Sequence, residues 1–554
     1  MSRPTAFTLF AITLPAFALL ACAPADEQTG DANIHAATEE AADYAPHGLL
    51  AKSLPEIAAA LQSGEVTSED LVKDYLARIE EVDRAGPSLQ SVLALNPDAL
   101  DEARALDAKR AAGEALGPLH GVPVVLKDNI ETRDNLATTA GALALKDNVT
   151  GRDAPLAAGL REAGAIILGK TNLSQWANFR SNDSMSGWSA LGGQVRNPHM
   201  LDRNPCGSSS GSGAAVAASL AAGAVGTETN GSIICPSNVN GIVGFKPTVG
   251  LVSQQYIVPI SSSQDTAGPM TKTVKGAAMM LSAMSAGATG ATGETKTDYV
   301  AALDEQALNG ARIGVLRFSQ GSNTDIIAHF DAALADLEAA GATLIEIEEF
   351  EPQGENFWEH AYDLLKYEFK ATLNEYLAGT PADIPARTLA ELIAFNEENA
   401  DIELALFDQS IFEEAQEMGG LEDDGYIIAR DHVQSATREN GIDALLAQYE
   451  VDILVSPSGP VASRIDPING DVWPEWAGAG NLAARAGYPH ITVPMGTVHG
   501  VPIGFSFMGA KGEDAAVLSY GYAYEQATHH RAEPQYLNTA EDREEIAKAM
   551  KARK

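Results

Sequence analysis

Three segments of this chain carry residue types that could do chemistry together. The first is Gly121-Val-Pro-Val-Val-Leu-Lys127, followed by Asp128-Asn129. Its apolar run reads as a buried strand, and a lysine at the end of such a strand is costly to bury unpaired. Lys127 either emerges into solvent at the sheet edge, or is held neutral by burial and becomes a base. The second is Pro205-Cys206-Gly207-Ser208-Ser209-Ser210-Gly211-Ser212-Gly213. Glycine- and serine-rich runs often serve as flexible linkers, but this one sits mid-chain and leads into an alanine-rich helical stretch. A tight loop holding hydroxyls fits that position better. The third is Gly226-Thr-Glu-Thr229-Asn230-Gly231-Ser232-Ile-Ile-Cys235-Pro236. Asn-Gly turns sharply and can aim successive backbone N–H groups at one point, where each donor to a developing oxyanion contributes roughly 3 kcal/mol. The same dipeptide also makes ordinary hairpin turns without a catalytic role.

Together the three segments resemble the amidase signature family, in which a lysine, a serine with a cis peptide bond and a nucleophilic serine form the triad. The two serines, 208 and 232, stand 24 residues apart, which fits the family's pattern. The likeness runs from about residue 51 to 531, through Asn240-Gly-Ile-Val-Gly-Phe-Lys246-Pro-Thr248, Gln264-Asp-Thr-Ala-Gly-Pro269 and Asn481-Leu-Ala to Tyr524-Glu-Gln-Ala-Thr528. Within the family, Asn172-Leu-Ser-Gln-Trp176-Ala177-Asn178-Phe179, Gly187-Trp-Ser-Ala190 and Gly192-Gly-Gln-Val-Arg-Asn-Pro198 are similar to the peptide amidases. Those enzymes release the C-terminal amide of peptides as ammonia and leave internal peptide bonds intact.

The resemblance implies a single α/β domain, with a central mixed β-sheet flanked by helices and a helical insertion. It implies Ser232 as nucleophile, Ser208 as proton relay and Lys127 as base. The backbone amides of Thr229, Asn230, Gly231 and Ser232 would form the oxyanion hole. A serine hydroxyl needs such a base, and a lysine can act as one only when neutral. The proton then returns through Ser208 to the departing amine, and water hydrolyses the acyl-enzyme by the same route. No metal or organic cofactor is required. Trp176, Ala177, Asn178 and Ser208 are the expected substrate contacts, with the helical insertion at about 351–440 shaping the pocket. The chain departs from the commoner family pattern at three places. Asn230 stands where glycine is frequent, Glu228 replaces aspartate, and Ile234 takes a position often held by arginine. An ion pair between that arginine and the acidic residue is therefore excluded.

Other motifs compete for the same residues. Gly207-Ser-Ser209-Ser-Gly211 matches the nucleophile elbow of α/β-hydrolases, with Asp452 and His490 following in the expected order. An elbow belongs between a strand and a helix, and residues 194–206 do not read as a strand. Gly164-Ala-Ile-Ile-Leu-Gly169-Lys170-Thr171 fits the phosphate-loop formula. Its middle residues are strand formers, where a phosphate cradle needs a flexible loop. A catalytically inactive surface-binding lipoprotein and the amidase component of a tRNA-dependent amidotransferase complete the alternatives. Retention of all three triad positions opposes the first, and an export signal opposes the second.

Around these segments the chain lays out elements able to hold them. Ser53-Leu-Pro-Glu56 reads as a capping box, with Gly64 ending the helix. Further helices are expected from Ser68 to about Val82, over Pro97–Ala112, at Ala157–Ala163 and from Ala214 to Ala222. Residues 165–168 form another buried strand candidate. Residues 272–445 read as mostly helical, with one strand at Arg312–Leu316. Strands return at Asp452–Val455, His490–Val493 and Gly504–Met508, before a last helix at Asp514–Ala527 and a helical tail at 532–554.

The 554 residues are 45% hydrophobic and 20% charged, a globular composition, with a formal net charge of −38. Such a field repels phosphate backbones, so nucleic acid is excluded as a general partner. The expected partner is a small-molecule or peptide amide. Residues 1–21 read as an export signal ending in Leu19-Leu20-Ala21-Cys22, similar to a bacterial lipoprotein box. Cleavage before Cys22 would leave a lipid anchor there, the one expected contact with a membrane, and a flexible tether over 22–50. That places the protein in the periplasm or cell envelope. Cys206 and Cys235 are then the remaining cysteines, and the sequence leaves open whether they pair. The 11 histidines are scattered, and no cluster suggests a metal.

Overall fold

A computed structural model describes residues 44–285, 297–351 and 354–552. The segments read as export signal and lipidation site, with most of the tether, lie outside the described residues. Tyr44–Lys554 forms one compact unit. Tyr44 packs edge-on against Tyr536, and its carbonyl accepts from Arg78.

Local signals act where they stand alone. The first helix spans Leu54–Ser63, with a capping box between Ser53 and Glu56 and a left-handed Gly64 at its end. Helices follow at Ser68–Arg78 and Ala99–Ala111.

The centre is an eleven-stranded mixed sheet, as the family resemblance implies. In chain order its strands are β1 (Val92–Leu95), β2 (Pro123–Lys127), β3 (Ile166–Thr171), β6 (Gly223–Glu228), β7 (Val243–Lys246), β8 (Thr266–Thr271), β9 (Arg312–Leu316), β10 (Thr343–Ile347), β11 (Ile453–Pro457), β12 (His490–Val498) and β13 (Val501–Met508). A separate two-stranded ribbon pairs β4 (Trp188–Ser189) with β5 (Gly193–Gln194). The spatial order is β1-β3-β2-β6-β8-β7-β12-β13-β11-β9-β10. Strands β3, β2 and β6 run parallel, as do β11, β9 and β10, and the strands between alternate. Strands β2, β3, β6, β8 and β13 are buried along their whole length, so helices cover both faces of the sheet.

Several elements differ from the sequence expectation. Strands β6, β7 and β8 were not legible, because fully buried strands lose the polar–apolar alternation that marks a half-exposed one. The segment Thr343–Ile347 is a further strand within the stretch read as helical. The helix expected from Ala214 starts at Ser210, so the glycine-serine run supplies its first turns. Tertiary packing overrides propensity there: a β-carbon on Gly211 would lie 2.4 Å from the carbonyl oxygens of Asn172 and Ser91. At the other end, residues 531–536 are not helical, Leu537 bridges to Met200, and only Glu544–Met550 of the expected tail is α-helix. Between β10 and β11 lie the helices Phe357–Gly379, Leu389–Glu398, Ser410–Glu417 and Asp424–Thr437. Phe369, Leu373 and Phe412 from this region build an apolar cluster with Trp176 and Phe179.

Candidate active site

Parallel pairing of β2 with β6 brings the first and third chemical segments together. Leu126 is in register with Val225, so Lys127 at the end of β2 lies beside the end of β6. Lys127 is wholly buried and does not reach solvent. Its Nζ donates to Ser208 Oγ at 2.7 Å, to Thr227 Oγ1 at 2.9 Å and to the Thr227 carbonyl at 3.2 Å. Burial pulls the Lys127 ammonium down to about 7, against the opposing pull of Asp265 and Glu228. A lysine in this state supplies a neutral amine near physiological pH.

Ser208 is also wholly buried and follows a cis Gly207–Ser208 peptide bond. The next residue, Ser209, donates its N–H to the Ser232 carbonyl at 3.2 Å, which sets the second segment against the third. Ser232 lies in the wall of a cavity of about 720 Å³, with Gly207, Thr229, Asn230 and Gly231 beside it. Gly231 adopts φ +79°, a conformation few other residues take, and turns the chain from β6 into the helix Ile234–Asn240. The turn is therefore strand-to-helix and not a hairpin. No hydrogen bond within the described residues takes up the N–H groups of Asn230, Gly231 or Ser232. They remain available to an oxygen in the cavity.

Glu228 explains how the turn holds its shape with isoleucine at 234. Its Oε2 accepts from the N–H groups of Ile233 at 2.7 Å and Ile234 at 3.0 Å. The support that the resemblance would draw from an arginine comes here from the backbone. On the other side, Thr229 Oγ1 donates to Asp265 at 2.6 Å. We predict that Glu228→Ala lowers kcat by about 100-fold, the scale of one lost oxyanion donor, with a smaller change in KM. An unchanged kcat in steady-state assays would count against a role for this carboxylate in shaping the turn.

Cys206 and Cys235 form a disulfide, with Cα atoms 5.9 Å apart and a sequence separation of 29. It ties the residue before Gly207-Ser208 to the helix that follows Ser232. By loop length, Cys206→Ser together with Cys235→Ser should cost roughly 3–4 kcal/mol. Chemical denaturation with and without reductant measures this, and equal midpoints would refute it.

Not every expected contact reaches the cavity. Ala177 and Asn178 line it, but Trp176 does not. Trp176 turns into the apolar cluster under the insertion, edge-on to Phe412, because an indole of that size is better buried than exposed. The three residues 176–178 all have positive φ, between +51° and +68°. A buried pair holds them in place: Arg180 donates to Glu403 at 3.2 Å, and Glu403 also accepts from Gln175 at 2.5 Å. Ser208 does not line the cavity either, although Gly207 beside it does. Segment 471–481 was not foreseen, yet it contributes Asp471, Trp473, Trp476 and Asn481 to the cavity. Its signal was the pair Trp473 and Trp476, two of the chain's five tryptophans three residues apart. From the insertion, Tyr362, Leu365 and Ile411 complete an apolar side.

The competing motifs come apart. Ser209 is buried, with its hydroxyl bonded to the backbone of Thr227. His490 Nε2 pairs with Ser506 at 2.7 Å, and Asp452 accepts from the N–H of Arg312. These three groups form no relay. Lys170 of the phosphate-loop pattern lies buried in β3, donating to Ile130 and Thr138.

Comparison with known proteins agrees with this geometry. The Amidase family model matches residues 70–518. A probable amidase of Arabidopsis thaliana is 37% identical over 503 residues, covering 88% of this chain and 91% of the plant protein. A component of the glutamyl-tRNA(Gln) amidotransferase of Halorhodospira halophila is 34% identical, covering 87% of this chain and 99% of its own. Among solved structures, native peptide amidase from Stenotrophomonas maltophilia superposes with a TM-score of 0.84 at 45% identity, covering 89% of this chain and 100% of that one. The peptide amidase PAM bound to the competitive inhibitor chymostatin gives 0.83 at 46% identity, covering 87% of this chain and 99% of that one. The chain thus belongs to the amidase family, and it is a hydrolase of carboxamide C–N bonds.

Proposed function

We propose that the protein hydrolyses the C-terminal carboxamide of peptides through an acyl-enzyme on Ser232. Ser208 relays the proton and Lys127 accepts it. The observation that carries this reading is the buried Lys127 amine, 2.7 Å from the Ser208 hydroxyl and lowered to about 7. Attack by Ser232 Oγ on the amide carbon breaks the C=O π bond and puts negative charge on oxygen, opposite the N–H groups of residues 229–232. Collapse expels ammonia, which takes the proton back through Ser208. Water then attacks the ester by the same path and frees the carboxylate.

Peptide amides are favoured over the other amides of the family for two reasons. Identity to the peptide amidases, at 45–46%, exceeds the 32–34% to the amidotransferase components. The cavity also has the size of a ligand site for a short peptide end, and polar and apolar residues line it alike, as a peptide terminus with its backbone amides and side chain would need. Ammonia release from N-acetyl-phenylalanine amide tests the substrate class, with N-acetyl-dialanine as an internal-bond control. Cleavage of the control and not of the amide would reject the proposal.

Export and lipid anchoring at Cys22 are part of the same reading. The Cys206–Cys235 disulfide supports an oxidising compartment, since disulfides are rare in the cytosol. Labelled palmitate should enter the wild-type protein and not Cys22→Ala; equal labelling of both would remove Cys22 as the anchor.

A further inference from the structure

We infer that a second cavity beside the cleft is a subsite for a cationic side chain, lysine or arginine, placed upstream of the scissile carboxamide. The inference rests on the peptide-amide reading. The second cavity, of about 620 Å³, shares Trp476, Gly478 and Asn481 with the cleft that holds Ser232. A peptide whose end lies in the cleft can therefore continue into it. Trp473 of the cleft meets Trp476 edge-on at 5.7 Å, so an aromatic wall runs across the junction.

The walls of this cavity combine exposed aromatic surface with carboxylates. Trp358 is 59% exposed and Trp476 47%, although both are large apolar side chains that ordinarily seek cover. Glu351 and Glu359 stand in the same wall, are exposed, and pair with no basic residue among the described residues. The Arg485 guanidinium sits 4.8 Å from the Trp358 ring centre and 5.6 Å from that of Phe357, packing the indole from one side. The local balance is thus two carboxylates to one guanidinium, inside a molecule of net charge −38. A lysine or arginine side chain matches this arrangement. Its methylene stem covers aromatic surface while its charged head meets the ring faces and the carboxylates. An acidic side chain would be repelled, and a small one would leave the aromatic wall wet.

The test uses N-acetylated hexapeptide amides with phenylalanine at the amide end and alanine elsewhere, in which one lysine is moved upstream residue by residue. Ammonia release gives kcat/KM for each. We expect one position at which lysine raises kcat/KM about tenfold over alanine, with glutamate there lowering it, and a gain that shrinks at high salt. Trp358→Ala and Glu359→Gln should each remove most of that gain and leave N-acetyl-phenylalanine amide turnover as in wild type. Turnover of all peptides without dependence on lysine position overturns the subsite alone, as does a gain that survives in Trp358→Ala. Absence of turnover for every amide in the series overturns the peptide-amide reading and the subsite with it.

Discussion

Ser232→Ala is expected to lower amide turnover by about six orders of magnitude, the scale reached when the nucleophile of a serine hydrolase is removed. The variant should remain folded, because the side chain is small and sits in the cavity wall, where loss of one hydroxyl costs less than about 1 kcal/mol. The decisive measurement is fluorophosphonate labelling followed by peptide mapping. In the wild type the label should fall on Ser232, and in Ser232→Ala it should vanish. A label on Ser209 would transfer the nucleophile to the elbow motif. The structure argues against that outcome, since the Ser209 hydroxyl is engaged by the backbone of Thr227 behind the wall.

Lys127→Met is expected to lower kcat/KM by about three orders of magnitude, within the range of general-base catalysis. Methionine fills a similar volume, so the loss would report the amine and not a cavity. The pH dependence separates a base from a spacer. In the wild type, kcat/KM should fall about tenfold per pH unit below the Lys127 pKa of about 7 and level off above it. The residual activity of Lys127→Met should lack that limb, and its persistence would exclude Lys127 as the base. Stability gives an independent check with its own sign. The folded-state value, about 7, lies below the ordinary 10.5, so between these limits the unfolded chain carries the extra proton. Lys127 therefore makes stability rise with pH across that window, and below it the burial of the charge is a constant cost. Melting of Lys127→Met should lose this part of the pH dependence. Lys246 and Lys272 are buried and lowered too, so the difference between the two proteins is the quantity to compare.

The candidate site residues were legible because their signals are local. Lys127, Ser208 and Ser232 sit in short segments whose residue types are unusual for their setting: a lysine ending an apolar run, a glycine-serine run mid-domain, a serine after Asn-Gly. The Ser53 capping box and the apolar runs of β2 and β3 were legible for the same reason. By contrast, β6, β7 and β8 each carry glycine, β6 and β8 also threonine, and all three are buried on both faces, so no period of two survives in them. The wall built by Trp473 and Trp476 was missed because it is brought to Ser232 only by the path of the chain between β11 and β12.

Sequence alone determined the residue types of the candidate site, their order, the family pattern and the acidic charge, which repels phosphate backbones. It left three matters open that tertiary structure decided. The first is the state of Lys127: a lysine ending a strand can point either way, and pairing of β2 with β6 encloses it. The second is the fate of Trp176, which only the packing of the insertion helices draws into their apolar cluster and out of the cavity. The third is the support of the oxyanion turn, where Glu228 meets the N–H groups of Ile233 and Ile234 in place of an arginine. Each turns on burial and on contacts between segments distant in sequence, and these follow from the assembled sheet.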